Sequence, residues 1–215
     1  MTYEEIYQDL KGKTANLKIP KRKGIFNIAE LTKLLAFLQI SEQTLESVSY
    51  KEHEKEFSEL FEDYYPRQLL HNGQYLAQLN RVLDHFRPKN PSPYKKLTQA
   101  VFLTARFFAR YDSFDSFRKE VYLECKDDSQ VLRYMEDFRK KCNLSGIYFV
   151  KSCIFFEKAG FFDIPLVTKK AKDYLLPLLG IEDSNELLFG KMKAIAAANH
   201  VSCHELNMRI EALGC

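Results

Sequence analysis

Leu144-Ser145-Gly146-Ile147-Tyr148-Phe149-Val150-Lys151-Ser152-Cys153-Ile154 joins two segments of helical periodicity through a glycine. Upstream, Asp127 or Asp128 starts a helix that runs to Lys141; downstream, a helix runs over 148–159, with Gly160 as its stop. Two helices linked by a turn of the type apolar-x-Gly-apolar form a hairpin. The backbone N–H groups at the start of its second helix have no intrahelical partner, and the helix dipole adds to their attraction for an anion. Such a tip can bind a nucleic-acid phosphate without reading base sequence.

Helix signals extend outward in both directions. Thr2 with Glu5 fits a capping box, and Asn27 caps a helix through Ile40 on which Ile28, Leu31, Leu34, Leu35 and Leu38 share a face. Ser49 opens a charged helix to Tyr64, which Pro66 stops, and the next helix covers 73–86. Ser92 caps a very apolar helix to Arg110, with Pro93 at its first position, which reads as the central buried helix. Ser113 starts a helix to Cys125. Thr168 caps 169–179 ahead of Gly180, Ser184 caps a helix to Asn199, and Ser202 with Glu205 caps the last one, to Leu213. The chain is expected to be all-α, with an N-terminal helical lobe over 1–87 and a second helical region over 92–215. Pro88, Pro91 and Pro93 mark the seam between them.

Composition narrows the function classes. The chain has 215 residues, 46% hydrophobic and 28% charged, with net charge +3. That is globular composition, and so mild a charge leaves any basic patch local. The basic patches are the run 11–23, read as a loop, and Lys169, Lys170 and Lys172. No uncharged apolar run reaches the length of a membrane span, and the acidic start lacks the apolar core of a signal peptide, so an intracellular, cytoplasmic protein without a membrane partner is expected. The five cysteines (Cys125, Cys142, Cys153, Cys203, Cys215) have no metal-type spacing and read as free thiols. His200 and His204 are four apart, but a cap at Ser202 breaks their shared face. No metal and no cofactor are expected.

The 144–154 stretch resembles the hairpin of the helix-hairpin-helix DNA glycosylases, whose usual pattern is Leu-Pro-Gly-Val/Ile-Gly-x-Lys-x-Ala. Gly160-Phe161-Phe162-Asp163-Ile164-Pro165-Leu166-Val167-Thr168 is similar to the family segment that carries the catalytic Asp after a Pro, and the segment from Leu187 to Gly214 resembles the closing helices. The resemblance covers about the second half of the chain. It implies two helical lobes with a cleft, the hairpin at its mouth, and a duplex-DNA partner, damaged or intact. The family's catalytic motif is not intact: Tyr148 replaces the second hairpin glycine, Val150 stands where the Schiff-base Lys falls, and no acid follows Pro165.

The resemblance therefore implies DNA binding through Gly146, Ile147, Tyr148, Lys151, Thr168, Lys169 and Lys170, with base-excision activity lost or altered. Were N-glycosylase chemistry to persist, Asp163 and Lys151 are the candidate catalytic groups. The competing reading is a helical interaction or scaffold protein that no longer binds DNA, supported by the acidic segment 52–63 and by Tyr148.

Overall fold

A computed structural model describes residues 1–21, 24–25, 27–144 and 146–213. Among them the chain is all-α, with thirteen α-helices and no strand. In chain order these are α1 (Tyr3–Lys13), α2 (Ile28–Gln39), α3 (Glu42–Ser47), α4 (Glu54–Leu60), α5 (Pro66–His71), α6 (Tyr75–Phe86), α7 (Ser92–Phe108), α8 (Phe114–Glu124), α9 (Asp128–Cys142), α10 (Phe149–Lys158), α11 (Lys169–Leu179), α12 (Asn185–Ala198) and α13 (Cys203–Glu211). No described helix is long and apolar enough to cross a membrane. The chain divides into two compact units, Ile25–Phe155 and Met1–Gly24 with Phe156–Cys215.

Local polar chemistry sets most helix ends. Thr2 and Glu5 close a reciprocal capping box on α1, and Asn27, Asp127, Thr168 and Ser184 each accept an amide of the first turn that follows. Gly180 closes α11 in the left-handed conformation. Several ends differ from the sequence expectation. Pro66 stops nothing; it opens α5 at the first turn, where its missing N–H costs no bond. Ser92 is the first residue of α7 rather than its cap, and its amide is taken by Asn90 Oδ1 at 3.1 Å. α1 continues through Lys13, so the expected 11–23 loop starts later; Arg22 and Lys23 lie outside the described residues. The expected helix 49–64 is instead a turn at Ser49 (φ 48°), then α4, then a 3-10 turn Glu62–Tyr64. The reason is a buried pair: the Tyr50 and Tyr64 hydroxyls meet at 3.0 Å, whereas one straight helix would hold them about 20 Å apart.

In the Ile25–Phe155 unit α7 is the hub. Leu97, Val101, Ala105 and Phe108 are fully buried along it, and α2, α3, α5 and α6 pack around it. The proline segment at 88–93 therefore lies inside this unit and is no seam: the helix it introduces is the one on which the preceding helices pack. Beyond α7, Phe108 and Phe117 meet edge to face at 5.3 Å and Phe138 stacks on Phe155 at 5.5 Å.

The other unit packs α1 against α12 and α13, and α11 against α12 and α13. Buried Asn207 holds the 164–166 stretch by accepting from Leu166 N at 2.8 Å and donating to Ile164 O at 2.9 Å. Buried Arg209 donates to Glu205 and to Thr14, and Glu205 Oε1 also accepts the Tyr7 hydroxyl at 2.5 Å. Glu205 is thus drawn from the capping box expected with Ser202; only Ser202 Oγ, accepting Glu205 N, caps α13. Gly160 (φ 81°) is required for a second reason besides its left-handed backbone: a Cβ there would stand 2.6 Å from Gly24 Cα.

Burial pushes the Glu205 carboxyl up, but the Tyr7 hydroxyl and Arg209 outweigh it and hold the group below its ordinary value of 4.5. A carboxyl depressed on folding stabilises the fold above its unfolded value, and that contribution is lost as pH falls through the folded one. Glu205→Gln is expected to lower Tm at neutral pH and to flatten the loss of Tm in acid. Melts between about pH 3 and pH 7 check this; parallel curves for both proteins would refute it.

Candidate nucleic-acid interface

The hairpin is built from the end of α9. Asn143 adopts the left-handed conformation (φ 50°) and returns its N–H to Arg139 O at 3.0 Å. Leu144 and Ile147 are buried and anchor the link on the core side. Gly146 takes φ 75°, and a Cβ on it would meet Gln39 O at 3.1 Å. Tyr148 then stands out into solvent, 55% exposed, and α10 begins. Its first i→i−4 bond between described residues is Ser152 N to Tyr148 O at 2.9 Å, so the amides of Val150 and Lys151 precede the helical ladder.

The charges around the tip are specific. Lys151 Nζ lies 5.4 Å from the Tyr148 ring centroid, and partial burial lowers its pKa. Lys140 is paired with Asp137 at 2.8 Å, and Lys141 with Glu124. Arg139 and Lys151 pair with no carboxylate among the described residues. A shallow groove of about 630 Å³ runs beside the tip, with Arg139, Asn143 and Tyr148 among its walls and Glu136 as its acid. What this arrangement offers is the amides of Val150 and Lys151 at a helix start, two cations that no carboxylate among the described residues pairs, and an exposed aromatic ring. These are elements of phosphate binding and base stacking.

The remaining candidates fall into place individually. Ile147 is wholly buried, so its expected DNA contact is limited to its backbone; an apolar side chain on the inner side of the turn goes to the core. Asp163 uses both oxygens as a cap on α13, accepting Cys203 N at 2.9 Å and His204 N at 3.0 Å. Thr168 caps α11 and donates to Glu211, and Lys170 Nζ reaches Glu211 O at 2.6 Å. Lys172 pairs with Asp183, while Lys169 is exposed. Phe155, Phe156 and Phe161 are core, in keeping with a packing role. His204 packs its ring between Glu157 Oε1 at 2.7 Å and Pro20 O at 3.3 Å, and no His/Cys/Asp/Glu group among the described residues has metal-binding geometry. Cys125, Cys142, Cys153 and Cys203 are free and buried; burial pushes the Cys125 thiol up to about 11 and Cys153 to about 12, away from reactivity. Cys215 lies outside the described residues.

Arg139 was not singled out by sequence pattern. The signal was present in Arg139-Lys140-Lys141, a basic last turn directly before the hairpin, but only the structure separates the unpaired cation from its two paired neighbours. Compared with protein-family models, curated proteins and solved structures, the chain matches none.

Two stability outcomes follow from these positions. Gly146→Ala forces a Cβ into left-handed backbone and toward Gln39, and is expected to cost about 1–2 kcal/mol in urea unfolding. An unchanged midpoint would show that the turn relaxes freely. Asp163→Ala removes the carboxylate cap of α13 and is expected to cost about 0.5–2 kcal/mol in the same measurement; a neutral result would leave Asp163 free for another role.

Proposed function

We propose that the protein binds duplex DNA through its phosphate backbone, using the α9–α10 hairpin. The observation that carries this reading is the Gly146 turn: it presents the start of α10 beside Arg139 and Lys151, neither of which is neutralised by a carboxylate among the described residues. The resemblance to the helix-hairpin-helix glycosylases supports the same reading. Base excision is not part of the proposal: no acid follows Pro165, and the remaining candidate, Asp163, serves as a cap on α13. Lys169 and Lys170, at the start of α11, are a separate candidate contact, with Lys169 the more available.

A second reading, a helical interaction protein that has lost DNA binding, is favoured by one feature. Tyr148 places an exposed ring where close approach of a phosphate to the backbone suits glycine. The two readings separate in a salt series with an undamaged duplex and one carrying an abasic-site analogue. For DNA binding, log K falls linearly with log[salt], by about 0.9 per phosphate contacted. Arg139→Glu and Lys151→Glu are each expected to reduce that slope by about one, and Tyr148→Ala to weaken any preference for the abasic duplex. No binding at low salt, or slopes indifferent to both charge reversals, would favour the interaction protein.

A further inference from the structure

Away from the hairpin, in the same unit, the turn between α3 and α4 roofs a cavity of about 510 Å³. Its apolar wall includes Phe37, Leu45 and Tyr50. Its rim carries Glu42, Glu46, Glu52 and Glu54 against Lys33 and Lys51. Lys33 is already committed to Glu54. Glu42, Glu46 and Glu52 have no ion-pair partner among the described residues, so the rim carries uncompensated negative charge facing the single uncommitted Lys51.

Lys33 shows what this wall accepts. Its ammonium lies 5.8 Å from the Phe37 ring centroid, 5.6 Å from Tyr50 and 5.5 Å from Tyr64, with Glu54 as its hydrogen-bond acceptor. Phe37 and Tyr50 are locked edge to face at 4.7 Å, and the Tyr50 hydroxyl is held by Tyr64. Three rings and a carboxylate around one ammonium form a cation cage, filled here by the chain's own lysine. Burial works to lower the Lys33 pKa, yet the Glu54 hydrogen bond and Tyr50 outweigh it and the value is raised, so the surroundings favour the charged amine.

We propose that this cavity binds a small organic amine, an ammonium group on an apolar body, whose cation takes the place of the Lys33 ammonium against Glu54 and the rings. Charge complementarity selects a cation, and the apolar wall selects its carbon body. The volume falls in the roughly 300–1,000 Å³ typical of small-molecule sites, larger than one peptide side chain fills.

Tryptamine is a convenient probe, because the chain has no Trp and the indole emission is then the ligand's alone. Fluorescence anisotropy is expected to show saturable binding, with the neutral isostere tryptophol at least about tenfold weaker. A Glu46→Gln/Glu54→Gln variant is expected to lose about tenfold, and Lys33→Met, which empties the cage, to gain several-fold. Circular dichroism melts establish that each variant is folded. Equal binding of tryptamine and tryptophol, weaker binding by folded Lys33→Met, or no saturable binding to either the natural chain or that variant would overturn the proposal. Binding of a tetralysine peptide in preference to tryptamine would overturn it in favour of a protein partner.

Discussion

The Ile25–Phe155 unit depends on the burial of α7. A helix with one apolar stripe can lie on a surface, but α7 buries Leu97, Thr98, Ala100, Val101, Phe102, Thr104, Ala105, Phe107 and Phe108, which together occupy most of its circumference. It must therefore be enclosed, and each large apolar side chain so removed from water contributes about 1.5–3 kcal/mol. Its buried hydroxyl at position 104 is satisfied locally, donating to Ala100 O at 2.7 Å, and it also accepts from Gln39 Nε2 at 2.6 Å. That bond fixes the end of α2, and the Gln39 carbonyl is what Gly146 packs against. The hairpin tip is thus seated by contacts that lead back to the core helix, which makes its geometry a property of the unit rather than of a free loop.

The other unit is organised by polar satisfaction at one helix. α13 receives Asp163 at its first amides, lends Asn207 to the irregular 164–166 stretch, and sends Arg209 across to Thr14 on the C-terminal side of α1. Asn207 and Arg209 are buried, and leaving them there without partners would cost far more than pairing them returns. Asp163, which sequence order offered as a catalytic group, performs a structural task here as a cap on α13.

What could be seen in the sequence was local. Caps at Thr2, Asn27, Asp127, Thr168 and Ser184 follow from side chains reaching backbone within three residues, and the stop at Gly180 from the left-handed backbone that glycine adopts without strain; both lie within a range that pattern alone resolves. Misjudged features were set at a distance. The Tyr50–Tyr64 contact folds back a segment whose periodicity suits one helix, and the proline run at 88–93 resembles a domain linker until α7 is known to be the hub. Of the candidate site, Gly146, Tyr148 and Lys151 were legible because a turn signal is local. Arg139 was not, since its availability is defined by the carboxylates that Lys140 and Lys141 take and it does not.

The same limit applies to charge. A net charge of +3 over 215 residues suggests neither an anion site nor a cation site. In the Ile25–Phe155 unit it is partly the sum of opposites: among the described residues, Arg139 and Lys151 at the hairpin have no carboxylate partner, and Glu42, Glu46 and Glu52 at the cavity rim have no cationic one. Screening confines the field of an exposed charge to about 10 Å at moderate salt, so a ligand responds to its own patch and not to the total. The two patches also differ in kind. The hairpin offers backbone amides and exposed cations, whose attraction for phosphate fades with salt; the cavity sets rings and a carboxylate about a partly buried ammonium, where cation–π attraction and desolvation make the interaction less sensitive to ions.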